Sequence, residues 1–347
     1  MSDEPIALAK PKPERILWID IAKGLAMFLV CFGHEGVDKQ VEGWIYSFHM
    51  PLFFMLSGMT FSFNKETRIW PYLLKKIKSL LIPYFLLNIM VYPICLWGMA
   101  VGRDPVVPFW SPIVGIFLSQ KRSGYPIPSN TTWFIATLFL ADVLFFLIWK
   151  LVQHDLGILI VTPLLTALIY TTYSLEHPGG GIWHWESAFT AIEFYMVGYL
   201  FLKYFPYIKR WANDVLIELL VVIFGFGIGY LFFDYNSRVS LIADSYGNLF
   251  FFYACALLHS AAFLALVMLI CQSAPVRKIF SFANYIGKNT MPYIAFQVPV
   301  MRMLKFYIPF FGAPTQLGRF LMCLLFYFAF MPFAGLITKI LPGRKKK

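Results

Sequence analysis

Residues 23–34 read KGLAMFLVCFGH, ten uncharged residues closed at one end by a lysine and at the other by a histidine. With the apolar residues before Lys23, the stretch 16–34 reaches the length that crosses a bilayer core, about 17–25 residues. Lys23 and His34 stand eleven positions apart; at about 100° per residue they lie roughly 20° beyond three full turns and share one helix face. Their axial separation is about 16 Å, close to half of a hydrocarbon core of about 30 Å. Asp20, three positions before Lys23, lies near the same stripe and is spaced to pair with it. Titratable groups inside a span are costly and as a rule face an interior cavity where they act. The structural alternative is a snorkelling lysine neutralised by Asp20, with His34 merely at the interface.

The rest of the chain has the same character. Of 347 residues, 59% are hydrophobic and 14% charged, with a mean hydropathy of +0.67, against about 25% charged in ordinary soluble domains. Ten stretches are long and apolar enough to span: 16–34, 44–62, 79–101, 131–151, 156–174, 186–205, 215–233, 247–271, 289–311 and 317–341. Pro83, Pro93, Pro163, Pro292, Pro299 and Pro332 should kink several of them. The Pro-rich piece 105–119 is too short to cross and reads as interfacial or re-entrant. The expected fold is therefore all-α, a polytopic integral membrane protein of about ten transmembrane helices. A cytoplasmic segment 1–15 precedes one membrane domain, 16–341, and a basic tail, 342–347, follows it.

The net charge of +11 raises the question of a nucleic-acid partner, which the distribution of the basic residues answers in the negative. Threaded from an inside N-terminus, 20 of the 29 Lys and Arg fall on the cytoplasmic side, eight on the other, and Lys23 stays within the first span. This positive-inside bias places both termini in the cytoplasm. The five cysteines form neither a disulfide framework nor a metal-ligand spacing, and Cys31, Cys95, Cys255 and Cys271 sit in or at the ends of spans as small apolar residues. The N-terminal residues lack a signal-peptide pattern, so the first span stays as an anchor.

Other polar residues interrupt the apolar stretches. FHMPLFFMLSG (48–58) puts His49 in the second span, followed by Pro51, Ser57 and Gly58; a kinked span with a hydrogen-bonded histidine explains it equally well. Asp142, Glu193, Glu218 and His259 are functional candidates by their cost, with interhelical hydrogen bonding as the plainer reading of each. NTTWF (130–134) opens the fourth stretch with an interfacial tryptophan.

WIDIAKGLAMFLVCFGH (18–34) resembles the first-helix signature of acyltransferase family 3, multi-pass membrane O-acyltransferases that modify bacterial surface glycans. In that family an Arg or Lys is followed by ten residues and a His, with an acidic residue three positions before the base; Lys23, His34 and Asp20 match. FHMPLFFMLSG is similar to the second-helix signature, LLKKIKSLLIPYF (73–85) to the basic loop leading into the third helix, and TWF (132–134) to a short aromatic motif. YIGKNTMPYIAFQVP (285–299) resembles a late stretch that commonly carries Ser and then His, where this chain has Thr290 and Gln297. Gln297 cannot titrate. The resemblance runs from residue 15 to about 300, and the FHMPLFF form makes the chain look like the stand-alone sugar O-acetylase type.

The resemblance implies an O-acetyltransferase with acetyl-CoA or another acyl-CoA as co-substrate and no bound cofactor or metal. The acceptor would be a cell-surface or lipid-linked glycan on the outer face of a bacterial plasma membrane, and the remaining partner the bilayer itself. The phosphopantetheine arm of CoA is about as long as the gap from Lys23 to His34. On this reading Lys23, beside Asp20, holds the donor, His34 is the general base, and Lys75, Lys76 and Lys78 attract the nucleotide phosphates; Glu35 or Asp38 is placed to orient the imidazole. His49, Ser57, Trp133, Asn289 and Gln297 would line the site. The competing class is a glycan or lipid-linked sugar exporter, in which the same polar stripe lines a path and no bond is made.

Overall fold

The computed structural model describes residues 16–62, 67–120, 124–312 and 315–343. The expected N-terminal segment 1–15, Lys65 and the tail residues 344–347 lie outside them. Among the described residues the chain is helical and without strands. Its helices are α1 (Leu17–Gly33), α2 (Lys39–Tyr46), α3 (His49–Met59), α4 (Ile69–Lys76), α5 (Ile82–Ala100), α6 (Ser111–Leu118), α7 (Trp133–Val152), α8 (Asp155–Ile169) and α9 (Trp185–Ile208). They continue with α10 (Val215–Asp234), α11 (Leu249–Gln272), α12 (Ala274–Ile279), α13 (Ser281–Lys288), α14 (Thr290–Tyr307), α15 (Pro309–Gly312), α16 (Gln316–Ala329) and α17 (Met331–Ile340).

Helices stand at all ten expected positions. By length and composition, five helical stretches among the described residues can cross a membrane: 69–100, 130–152, 155–174, 215–234 and 249–272. A sixth forms if α16 and α17 count as one span bent by 47°, where Pro332 at the start of α17 removes a backbone donor. The helices at the other four positions are shorter or more polar. α3 has only 11 residues, and α9 carries Glu186 and Glu193 within its apolar run. The piece 105–119 contains α6, eight residues long and too short to cross.

Two expected spans differ from a plain helix, each for a local reason. The second breaks between α2 and α3, where the Ser47 hydroxyl donates to the Trp44 carbonyl at 2.7 Å and so competes with the helical ladder. The ring of His259 on α11 closes the break: Trp44 Nε1 donates to its Nε2 at 3.3 Å and its Nδ1 meets Ser47 Oγ at 3.3 Å. His259 is thus an interhelical clamp. The third stretch begins earlier than expected, because α4 runs into α5 through a π-helical turn at Ile77–Leu81. Such turns shift side chains by one position relative to the α register.

α1 runs through the interior, packed along α13, and α3 packs along α9. α8 and α10 turn Leu159, Leu164, Ile223 and Phe224 outward, as expected of helices against lipid tails. The α1–α13 approach depends on two glycines: a Cβ on Gly24 would lie 2.0 Å from the Ala283 carbonyl oxygen, and one on Gly287 would lie 1.7 Å from that of Asp20. Without side chains there, the two backbones touch, as at other small-residue helix contacts in membranes. This contact brings Lys288, the last residue of α13, beside the Lys23 level of α1. Gly287→Val is therefore expected to lower both accumulation of the protein and its melting temperature in detergent. A variant that melts like the parent would show that the two helices can separate without cost.

Candidate functional site

Three adjoining cavities follow α1 from Lys23 to His34. The largest, about 400 Å³, is lined by Lys23, Lys76 and Lys288 together with Ser57, Ser79 and Asn289; we call it the basic chamber. At the other end a chamber of about 220 Å³ is lined by His34, Tyr46, His49, Trp133, Arg238 and Ser240. Between them lies a throat of only about 20 Å³, bounded by Val30, His34, Phe53, Trp133, Phe134 and Gln297. Phe53, Phe134 and Ile294 belong to both basic chamber and throat, and His34, Met50, Thr131 and Trp133 to both throat and histidine chamber. The path is continuous in its walls, and its throat holds about one water.

Each wall residue is placed by an identifiable local interaction. His34 caps the C-terminus of α1, and its Nδ1 lies 2.8 Å from the carbonyl oxygen of Val30 one turn earlier. A carbonyl only accepts, so Nδ1 carries the proton and Nε2 of the neutral ring is left as an acceptor. His49 repeats the arrangement with the Ile45 carbonyl at 2.8 Å, and the two imidazoles stand edge to face at 6.4 Å. Tyr46 lies beside both, at 5.7 Å from His34 and 5.0 Å from His49.

The basic chamber is organised by Asp142 on α7, which is almost fully buried. It accepts from Lys76 Nζ at 2.6 Å, from the Tyr195 hydroxyl at 2.7 Å and from the Tyr72 hydroxyl. Three donors satisfy the carboxylate and fix Lys76 against the chamber wall, next to the π turn that presents Ser79 and Leu80. Removing one member of a mostly buried ion pair costs about 3–5 kcal/mol. Asp142→Ala should accordingly lower the melting temperature by several degrees, and a melting temperature equal to the parent's would mean that Lys76 does not depend on this partner.

The histidine chamber is walled by the loop between α10 and α11, which Asp244 pins to the start of α9. Its buried carboxylate accepts from Ser187 Oγ at 2.9 Å and from the Tyr246 hydroxyl at 2.7 Å. Burial raises the Asp244 carboxyl above its usual range, against the pull of these hydroxyls.

The residues singled out from the sequence divide as follows. Lys23, Lys76, Ser57 and Asn289 meet in the basic chamber, Trp133 bounds both throat and histidine chamber, and His49 lines the latter. Gln297 is fully buried in the throat wall, and among the described residues neither its side-chain nitrogen nor its oxygen has a hydrogen-bond partner. Lys75 and Lys78 are exposed and line none of the three cavities; only Lys76 of that cluster turns inward. Asp20 is buried one turn from Lys23 and does not line these cavities.

The expectation that Glu35 or Asp38 orients the imidazole is corrected. Glu35 pairs with Lys305 at 2.5 Å, burial raising its carboxyl while that ammonium opposes the rise. Asp38 caps α2 through the Gln40 amide at 2.9 Å. The Val30 carbonyl does the orienting.

Lys288, Arg238 and the role of Asp142 escaped the sequence reading. Lys288 stood in the GKN stretch already singled out, whereas Arg238 lies in a loop with no periodicity to mark it. Among the described residues no cluster of His, Cys, Asp and Glu could hold a metal ion.

This arrangement offers cationic groups at one end, a narrow passage, and a fixed-tautomer imidazole at the other. The acyltransferase-domain family model, Acyl_transf_3, matches residues 16–339. No curated protein and no solved structure is found to match the chain.

Proposed function

The chain belongs to acyltransferase family 3, and from that premise we propose that this membrane acyltransferase moves an acetyl or other short acyl group from cytoplasmic acyl-CoA to a hydroxyl of a glycan, cell-surface or lipid-linked, on the outer face of a bacterial plasma membrane. The observation that carries this reading is the walled path from Lys23, Lys76 and Lys288 to His34. Lys23 and His34 in it are about 16 Å apart along α1 at 1.5 Å per residue, the reach of a pantetheine arm. We read all ten helical positions as spans, with both termini cytoplasmic. The basic chamber then opens inward, where the positive residues concentrate.

In this reading the lysines and the polar groups of Ser57, Ser79 and Asn289 hold the phosphate-bearing part of the donor, where exclusion of water strengthens their charges. The arm threads the throat, and the unpartnered amide of Gln297 is placed to hydrogen-bond one of its amide groups. His34 Nε2 takes the proton of the acceptor hydroxyl as the oxygen attacks the thioester carbonyl, and the thiolate of CoA leaves. Asp20 supports Lys23 from the preceding turn, while Lys75 and Lys78, outside the chamber, attract the donor at longer range.

The width of the throat favours transfer over export: a space for about one water admits a thin chain that pushes side chains aside, but no sugar ring. Purified protein in proteoliposomes, given radiolabelled acetyl-CoA and bacterial surface glycans, tests the reading. Label should pass to the glycan as an alkali-labile ester. Transport of glycan without any ester formed would replace this reading with that of an exporter.

A further inference from the structure

The histidine chamber has one lysine or arginine in its lining, Arg238, and no carboxylate. Building on the acyltransferase reading, we propose that the acceptor saccharide is anionic, carrying a carboxylate or phosphate that Arg238 holds while a neighbouring hydroxyl reaches His34.

The placement of Arg238 supports this in three ways. Its guanidinium lies over the ring of Tyr46, 4.9 Å from the centroid, and Tyr46 itself stands beside His34. An anion on the guanidinium is therefore held within a sugar's length of the imidazole. Among the described residues its ion-pair partner is Glu42, 2.6 Å from Nη2, which is not among the chamber's lining residues. A guanidinium has five N–H donors, and 58% of the Arg238 side chain stays exposed. Donors remain for the planar, two-point recognition of a carboxylate or phosphate. An ion pair whose guanidinium is this exposed contributes little, so an arriving anion can share or displace Glu42 at little cost. Around the charge, Asn130 and Ser240 supply polar partners for sugar hydroxyls, and Tyr46 and Trp133 supply apolar faces.

The ion pair gives the proposal a test that a structural role would not pass. If Arg238 and Glu42 only hold α2 to the α10–α11 loop, neutralising either should have the same effect. If Arg238 binds the acceptor and Glu42 competes for it, the two changes should act in opposite directions. Proteoliposomes would receive labelled acetyl-CoA and three acceptors: a uronic-acid oligosaccharide, its carboxyl-reduced counterpart, and a neutral oligosaccharide on a lipid diphosphate.

The expected result is a KM at least about tenfold lower for one of the two anionic acceptors than for the reduced one, as for a charge-assisted bidentate contact. Which of the two it is decides between sugar carboxylate and lipid phosphate. Arg238→Gln should erase that preference without changing the KM for acetyl-CoA, Arg238→Lys should keep part of it, and Glu42→Gln should sharpen it. Equal use of all three acceptors by the parent, or the same loss in Arg238→Gln and Glu42→Gln, overturns the proposal.

Binding of the same saccharides, followed by the fluorescence of tryptophan, separates this from the acyltransferase reading. Arg238-dependent binding without transfer would sink that reading and keep the anion site. Transfer with no dependence on Arg238 would do the reverse.

Discussion

Replacing His34 with alanine is expected to lower kcat for acyl transfer by about 10²–10⁴-fold, the usual worth of a general base, while the protein still folds. The ring sits at the end of α1, partly buried beside Tyr46 and His49, and among the described residues its one hydrogen bond is to the Val30 carbonyl, within α1 itself, so the helix does not depend on it. His34→Gln should fall as far, since a side-chain amide can donate to Val30 but cannot take a proton at pH 7. His49 makes the same kind of bond, to the Ile45 carbonyl across the break between α2 and α3, but lies off the throat, and His49→Ala should cost less, about tenfold. The measurement is single-turnover ester formation with protein shown to be folded by its melting curve. Activity above about a tenth of the parent's in His34→Ala excludes general-base catalysis by this residue, and a larger loss in His49→Ala moves the role to the second histidine.

Much of this site was legible in the stretch 23–34, because helical geometry fixes where residues eleven apart stand. Lys23 and His34 had to share a face at about 16 Å, and the structure puts them at the two ends of one path. What periodicity does not encode is contact across the bundle. Lys75, Lys76 and Lys78 look equivalent in sequence, yet only Lys76 meets Asp142, since the π turn that follows sets which lysine faces inward. The partner of His34 was sought among neighbouring carboxylates, but Glu35 faces Lys305, 270 positions away. Arg238 depends on the fold of a loop, which no hydrophobic pattern describes. The number of spans was likewise clearer for the apolar helices α7, α8, α10 and α11 than for α3 and α9. The break after Tyr46 leaves α3 only 11 residues long, and in α9 Glu186 and Glu193 reduce the apolar signal that marks a crossing.

Sidedness should be absolute. If the basic chamber faces the cytoplasm, as proposed from the charge bias, acetyl-CoA is expected to support transfer only when supplied to that face, and the acceptor only when supplied to the other. The reason is the throat: at about 20 Å³ it passes an extended arm, but neither a nucleotide nor a saccharide, so each substrate must arrive at its own chamber. Vesicles of known orientation provide the measurement. Orientation itself can be read by cysteines at Lys39, exposed at the start of α2 near His34, and at Lys75, exposed beside the basic chamber. The native background is low, because four of the five cysteines are buried. An impermeant thiol reagent added outside intact cells should label Lys39→Cys and leave Lys75→Cys untouched. If the labelling is as expected but acetyl-CoA works from either face, the path from Lys23 to His34 is not the donor's route, and acyl transfer must proceed with both substrates in the histidine chamber. If the labelling is reversed, the charge bias has been misread, and the lysines of the basic chamber meet the acceptor instead of the nucleotide.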